Sequence, residues 1–150
     1  MRIVVQRVTK ASVTIHGDKV ANIQAGLLIL LGIEHDDTVE DIHWLVKKVS
    51  HLRIFNDENG VMNLSIMDLN AAALVVSQFT LQASTRKGSR PSYIKAAKPE
   101  VAIPLYQQFV TSLENQLGKK VPTGVFGADM KVELLNDGPV TIIIDSKRKE

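Results

Sequence analysis

Ser77, Gln78 and Thr80 close an otherwise apolar run, Leu74-Val75-Val76-Ser77-Gln78-Phe79-Thr80-Leu81, and are the side chains best placed to meet a substrate. The three leading apolar residues suit a strand covered on both faces, whereas hydroxyl and amide groups are costly in a core without partners. Something polar should therefore meet this strand end. In a regular strand Ser77 and Phe79 share one face while Gln78 and Thr80 share the other, so the two hydroxyls do not converge on one reacting atom. Read as structure, Ser77 and Thr80 are satisfied strand hydroxyls. Read as chemistry, backbone amides left free where a ladder stops can bind a developing oxyanion without any titratable side chain.

Two further stretches carry chemical potential. Asn136-Asp137-Gly138-Pro139-Val140-Thr141 interrupts two apolar segments. X-Pro bonds are the only peptide bonds for which the cis form is cheap, and a glycine followed by a fixed ring can expose two carbonyls as acceptors for an ammonium group. Its structural reading is a turn. Arg86-Lys87-Gly88-Ser89-Arg90-Pro91-Ser92-Tyr93 places three cations and an aromatic in one loop, which suits a phosphate backbone or a stacked base, and otherwise a solvated loop.

Other chemistries are poorly served. His16, His35, His43 and His51 lack the paired spacing of a metal site, so no metal is expected. Glu34, Asp36, Asp37, Glu40 and Asp41 lie around the start of a predicted helix, where exposed amides and the dipole favour acids anyway. There is no cysteine, no glycine-rich phosphate loop, no dinucleotide fingerprint and no Gly-x-Ser-x-Gly elbow. Thiol catalysis and disulfides are excluded, and a cytoplasmic location is compatible.

These residues need a scaffold, and the composition supplies one. With 150 residues and 45% hydrophobic content, the chain fits one domain, residues 1–150, with a continuous core. A formal charge of +2 permits a polyanionic partner without requiring one. The N-terminus is too soon interrupted by charge for a signal peptide, and the longest apolar run falls far short of the ~20 residues a membrane helix needs.

Residues 2–15 and 19–23 predict a hairpin around Gly17-Asp18, and residues 27–33 a central strand in which Gly32 signals close backbone approach or a bend. Thr38 and Asp41 form a capping pattern before Ile42, Leu45, Val46 and Val49, predicting a helix over 39–51. A short segment over 61–66 precedes a strand over 72–81, and residues 84–92 are loop. A second helix spans roughly 99–117, with Leu105, Phe109, Leu113 and Leu117 on one face; either Pro99 opens it and Pro104 disturbs its second turn, or Pro104 opens a shorter helix. Strands over 121–125 and 131–135 flank a Gly127-Ala128-Asp129 turn, a last strand covers 140–144, and residues 146–150 form a frayed tail. The expected class is α+β, with a mostly antiparallel, barrel-like sheet and two main helices.

In order and spacing, Ser77-Gln78-Phe79-Thr80-Leu81 and Asn136 to Thr141 resemble the signatures of the D-aminoacyl-tRNA deacylases. Gln6-Arg7-Val8, Ala11-Ser12-Val13, Arg53-Ile54-Phe55, Met62-Asn63 and Phe126-Gly127-Ala128-Asp129-Met130 extend the resemblance over essentially the whole chain. It implies hydrolysis of D-aminoacyl-tRNA, and of glycyl-tRNA, without a cofactor. It also implies a homodimer with active sites at the interface, where a Gly138-cis-Pro139 element held by Arg7 enters the other subunit and rejects L substrates. Ser77, Gln78, Phe79 and Thr80 would form the catalytic stretch, with Thr80 a side-chain candidate, and Arg86, Lys87 and Arg90 would contact tRNA. The implied partner is aminoacyl-tRNA, with no DNA and no membrane. A tRNA- or RNA-binding module without chemistry is the alternative.

Overall fold

The computed structural model describes residues 1–149. The element order is β1 (Arg2–Ile15), β2 (Asp18–Ile23), β3 (Gly26–Gly32), α1 (Val39–Ser50), β4 (Phe55–Asn56), β5 (Met62–Leu64), β6 (Ala72–Ser77), a short 3-10 turn (Phe79–Gln82), α2 (Pro99–Leu117) and β7 (Lys131–Asp145). The main sheet runs β2-β1-β3-β6, with β7 on the other side of β1. Every pairing of β1 is antiparallel, but β3 and β6 run parallel, so the sheet is mixed.

Bulges explain how one long strand serves two cores. Early in β1, Ile3 and Val5 face the core formed with both helices. Register shifts against β7 around Val8 change the parity, and Val8, Ala11 and Val13 pack instead with Leu28, Leu74 and Val76 on the other side. An extra residue in one strand bends and twists it, which curls the sheet into a half-barrel. The charge-free sequence of β3 follows, because both its faces are covered.

The helices pack on one face of this sheet. Thr38 and Asp41 form the expected capping box, with the Thr38 amide donating to Asp41 Oδ2 at 2.8 Å. Ile42, Leu45, Val46 and Val49 are buried, each contributing about 1.5–3 kcal/mol. In α2, Pro99 occupies the first turn and the helix continues through Pro104, settling the two openings in favour of the longer helix. Its buried stripe is Ala102, Tyr106, Phe109 and Leu113; Leu105 and Leu117 are only partly covered. Gly118 closes it in the left-handed conformation.

Four expectations need correction. The strand expected over 72–81 ends at Ser77, and the chain turns into the 3-10 segment. Residues 121–125 form no strand: Pro122 has no amide to donate, and the segment touches β6 only through Val75 N to Pro122 O (3.1 Å) and Gly124 N to Val75 O (3.2 Å). The two strands expected around Gly138-Pro139 are one, β7, which absorbs that pair as a bulge. Nor is the tail simply frayed, since Ser146 is buried and its amide donates to Met1 O; Glu150 lies outside the described residues.

Candidate active site

The site segment is set by a glycine on the neighbouring strand. Gln78 N donates to Leu31 O at 2.8 Å, the last ladder bond, and the chain then folds back over Gly32. A Cβ at Gly32 would lie 2.9 Å from both Gln78 O and Leu81 Cβ, so only glycine lets this turn sit on β3. Arg2 Nη1 holds the far side through Leu81 O at 2.7 Å, and Gln82 Nε2 donates to Gly32 O at 3.1 Å.

Where the ladder stops, donors remain. Among the described residues, no acceptor pairs with the amides of Phe79 or Thr80, while Leu81 N is taken by Gln78 O. Beside them opens a cavity of about 320 Å³ lined by Ser77, Gln78, Phe79, Leu31, Ile33, Ala97, Ala102, Phe126, Asp129, Met130 and Val132. Thr80 is not in this lining. Its hydroxyl accepts from Gln78 Nε2, and it borders a separate groove with Arg2, Trp44 and Ile143. The four signature residues are thus divided: three face the cavity and the fourth borders the separate groove.

Among the described residues, no side chain lining the cavity is set up as a neutral-pH base. Asp129 hydrogen-bonds Lys131 Nζ at 2.9 Å, which holds its carboxyl below the usual range. Burial pushes the Tyr106 phenol up to about 12, and it donates to Val75 O at 3.2 Å. Preorganised dipoles are what this site has to offer.

The other signature is also well braced. Arg7 is buried, with Nε donating to Asp137 O at 3.0 Å and Nη1 to Ile54 O at 2.7 Å and Asn56 Oδ1 at 3.2 Å. Asn136 clamps the same bulge, its Oδ1 accepting Val140 N (3.0 Å) and its Nδ2 donating to Thr141 Oγ1 (2.9 Å). The Gly138-Pro139 bond is cis, and both residues are exposed.

The fold does not bring the two signatures together within one chain. Ser77 pairs with Leu31, Leu31 with Ile3 and Ile3 with Ile144, whereas Gly138-Pro139 lies opposite Arg7. Four residues along β1 and three strand spacings place Ser77 roughly 20 Å from Gly138-Pro139 along the sheet. Arg86, Lys87 and Arg90 are exposed on a loop closed by Ser84 and Ser92, outside the cavity.

A family model described as D-Tyr-tRNA(Tyr) deacylase matches residues 4–145. The chain belongs to that family. It is 69% identical over 150 residues to the D-aminoacyl-tRNA deacylase of Flavobacterium psychrophilum, and 66% identical over 150 residues to that of Bacteroides fragilis, covering 100% of both chains in each case. A solved structure titled c-Myc DNA Unwinding Element Binding Protein superimposes with a TM-score of 0.92 at 41% identity, covering 97% of this chain and 98% of its own. A probable eukaryotic D-amino acid tRNA deacylase gives 0.83 at 17% identity, over 95% of this chain and 97% of its own, a likeness of fold. Membership makes the chain a hydrolase acting on aminoacyl-tRNA.

Phe126, Asp129 and Met130 contributed to the resemblance but were not singled out as cavity residues. Gly124 makes room for the methionine that borders the cavity, since a Cβ there would collide with Met130 Sδ.

Proposed function

We propose that the chain hydrolyses the ester of D-aminoacyl-tRNA, and of glycyl-tRNA, as a cytoplasmic homodimer in which Gly138-Pro139 of one subunit selects chirality at the Phe79 amide of the other. The observation carrying this is a pair of unpaired amides beside a partly apolar cavity that lacks a positioned general base. Phe79, Phe126 and Met130 suit the terminal nucleoside, leaving the ester carbonyl at the Phe79 and Thr80 amides. Water adds to that carbonyl, the amides hold the oxyanion, and the free ribose hydroxyl of the RNA assists proton transfer. The carbon–oxygen bond to the ribose then breaks and the released oxygen takes a proton. An oxyanion donor of this kind is worth about 10²–10³ in rate.

The separation across the sheet between Ser77, at the end of β6, and Gly138-Pro139 supports a selector supplied by a second subunit. Carbonyls there would hold the substrate ammonium and turn an L side chain into protein, while a D side chain or hydrogen is accommodated. Rejection is steric, so selectivity needs no acid or base. Arg86, Lys87 and Arg90 would contact the RNA backbone.

Incubation with D-tyrosyl-tRNA and L-tyrosyl-tRNA, with sedimentation of the protein alone, is the direct test. Cleavage of the D ester, survival of the L ester and a dimer mass are expected. Retardation in a gel with both esters intact would leave only the RNA-binding alternative. Thr80→Ala should retain hydrolysis within about tenfold, since the Thr80 amide remains; complete loss with folding and RNA binding intact would reassign the chemistry to the hydroxyl.

A further inference from the structure

From Leu69 to Pro99 the chain carries Arg86, Lys87, Arg90, Lys95 and Lys98 and no Asp or Glu, within a protein of formal net charge +2. All five cations are exposed, and among the described residues none pairs with a carboxylate. Amid them stands an exposed apolar group. Phe79 is 55% exposed, Tyr93 40% and Ile94 81%. The Phe79 and Tyr93 rings meet edge to face, centroids 5.0 Å apart.

We propose that Tyr93, with the cations around it, is a stacking platform for an unpaired nucleotide preceding the terminal nucleoside of the acceptor end. This rests on the reading of the cavity as the terminal nucleoside's seat. Phe79 lines that cavity and Tyr93 does not, so Tyr93 lies one ring further out along the route the strand must take. A T-shaped pair occupies one ring face at most, leaving flat aromatic surface for a base. The platform is also held in place: Ser84 and Ser92 exchange backbone bonds at 2.8 and 2.9 Å, Ala96 N donates to Tyr93 O at 2.9 Å, and Ala97 N donates to Ile33 O at 2.9 Å. Unpaired cations beside an exposed aromatic match a strand with charged backbone and flat bases, whereas an acidic peptide would use the charge and leave the ring idle.

The test measures binding of an uncharged RNA minihelix with a single-stranded 3′ end by fluorescence anisotropy, so hydrolysis plays no part. Tyr93→Ala should weaken binding about 5- to 100-fold, and Tyr93→Phe should restore it. Tyr93→Leu, which keeps an apolar contact with Phe79, should resemble the alanine variant. On a minihelix whose penultimate nucleotide is abasic, wild type and Tyr93→Ala should bind alike. Wild-type affinity in Tyr93→Ala, or an equal loss on the intact and abasic RNAs, would overturn the proposal. So would an equal loss against polyglutamate, which would mark a general polyanion surface. If the wild type left D esters intact while Tyr93 dependence persisted, the catalytic reading alone would fall.

Discussion

Around Met1, Asp37 and Lys147 opposite charges are packed together and paired, whereas the cations in the stretch around Phe79 stand exposed and pair with no carboxylate among the described residues. In the first region the buried α-nitrogen of Met1 donates to Asp37 and, at 2.9 Å, to Ser146 Oγ, while Lys147 Nζ lies 3.6 Å from Asp36, 3.8 Å from Asp37 and 3.6 Å from Asp41. Glu34, Asp36 and Asp37 place carboxylate oxygens within 4.8 Å of one another, an arrangement that invites a metal-site reading. Yet Asp37 also accepts Glu34 N at 2.7 Å, and ammonium groups already balance it. This cluster ties both ends of the chain to the loop before α1. At the end of β6 two bare amides and a cavity face the solvent, with no ionisable group aligned to act. Titratable density here marks cohesion, while the proposed chemistry rests on backbone geometry.

Breaking the dense region should cost the most. Asp37→Ala leaves the Met1 nitrogen buried without its carboxylate, and removing one member of a buried pair costs about 3–5 kcal/mol. Thermal unfolding should shift down by roughly 6–20 °C, while hydrolysis per folded molecule stays near wild type. A shift of only a degree or two would show that Lys147 and Ser146 carry the cluster without Asp37.

The sparse region should fail in the opposite manner. Gly32→Ala would press a Cβ against Gln78 O and Leu81 Cβ, each at 2.9 Å, forcing the Phe79–Gln82 turn outward. Displacement on the order of 1 Å can cost about 100-fold in rate, so kcat should fall about 10- to 100-fold with a smaller loss of stability. Unaltered kcat in a folded Gly32→Ala protein would mean that the turn does not fix the reacting geometry.

Gly138→Ala sharpens the same contrast on β7. Gly138 has φ +132°, and a Cβ there would meet Val140 Cγ2 at 2.8 Å and Arg7 Nη2 at 3.0 Å. About 1–3 kcal/mol of destabilisation follows from backbone conformation and crowding, and selection between D and L esters should weaken. Full selectivity in a folded variant would count against the proposed selector.

Much of this division was legible in the residues. Thr38 and Asp41 announced α1 because capping is local, and the uninterrupted apolar run of β3 announced a strand covered on both faces. Gly32 signalled close approach, though not what approached. What stayed hidden was long-range. Nothing near Ser146 in sequence says that it meets Met1, and nothing near Val8 says that register slips there and carries the strand from one core to the other. Thr80 joins Ser77 and Gln78 through the family resemblance, whereas the turn after Ser77, where a strand through Leu81 is expected, depends on a glycine far away in the chain. Arg7 shows the same limit, since its burial depends on Asp137, Ile54 and Asn56 arriving together.

The mildest prediction separates the two regions by pH alone. Burial raises the Asp41 carboxyl, but hydrogen bonds from Ser146 and the Thr38 amide, with positive charge on Met1 and Lys147, outweigh it and leave the group below its ordinary value. At Asp145 burial is likewise outweighed, by the Lys147 amide and by Arg2. A carboxyl depressed in the folded state contributes stability above its unfolded pKa of about 3.9, and that contribution is lost as pH falls through the folded value. Stability should therefore hold through the neutral range and decline below about pH 4. Hydrolysis should behave differently, because no imidazole lines the cavity and Tyr106 stays protonated up to about 12. Between about pH 6 and 8 the rate should change smoothly, without the bell of an essential acid and base. An inflection near pH 6.5 with the fold intact would place a histidine in the chemistry, and the contrast between a brace of paired charges and a site of bare amides would no longer hold.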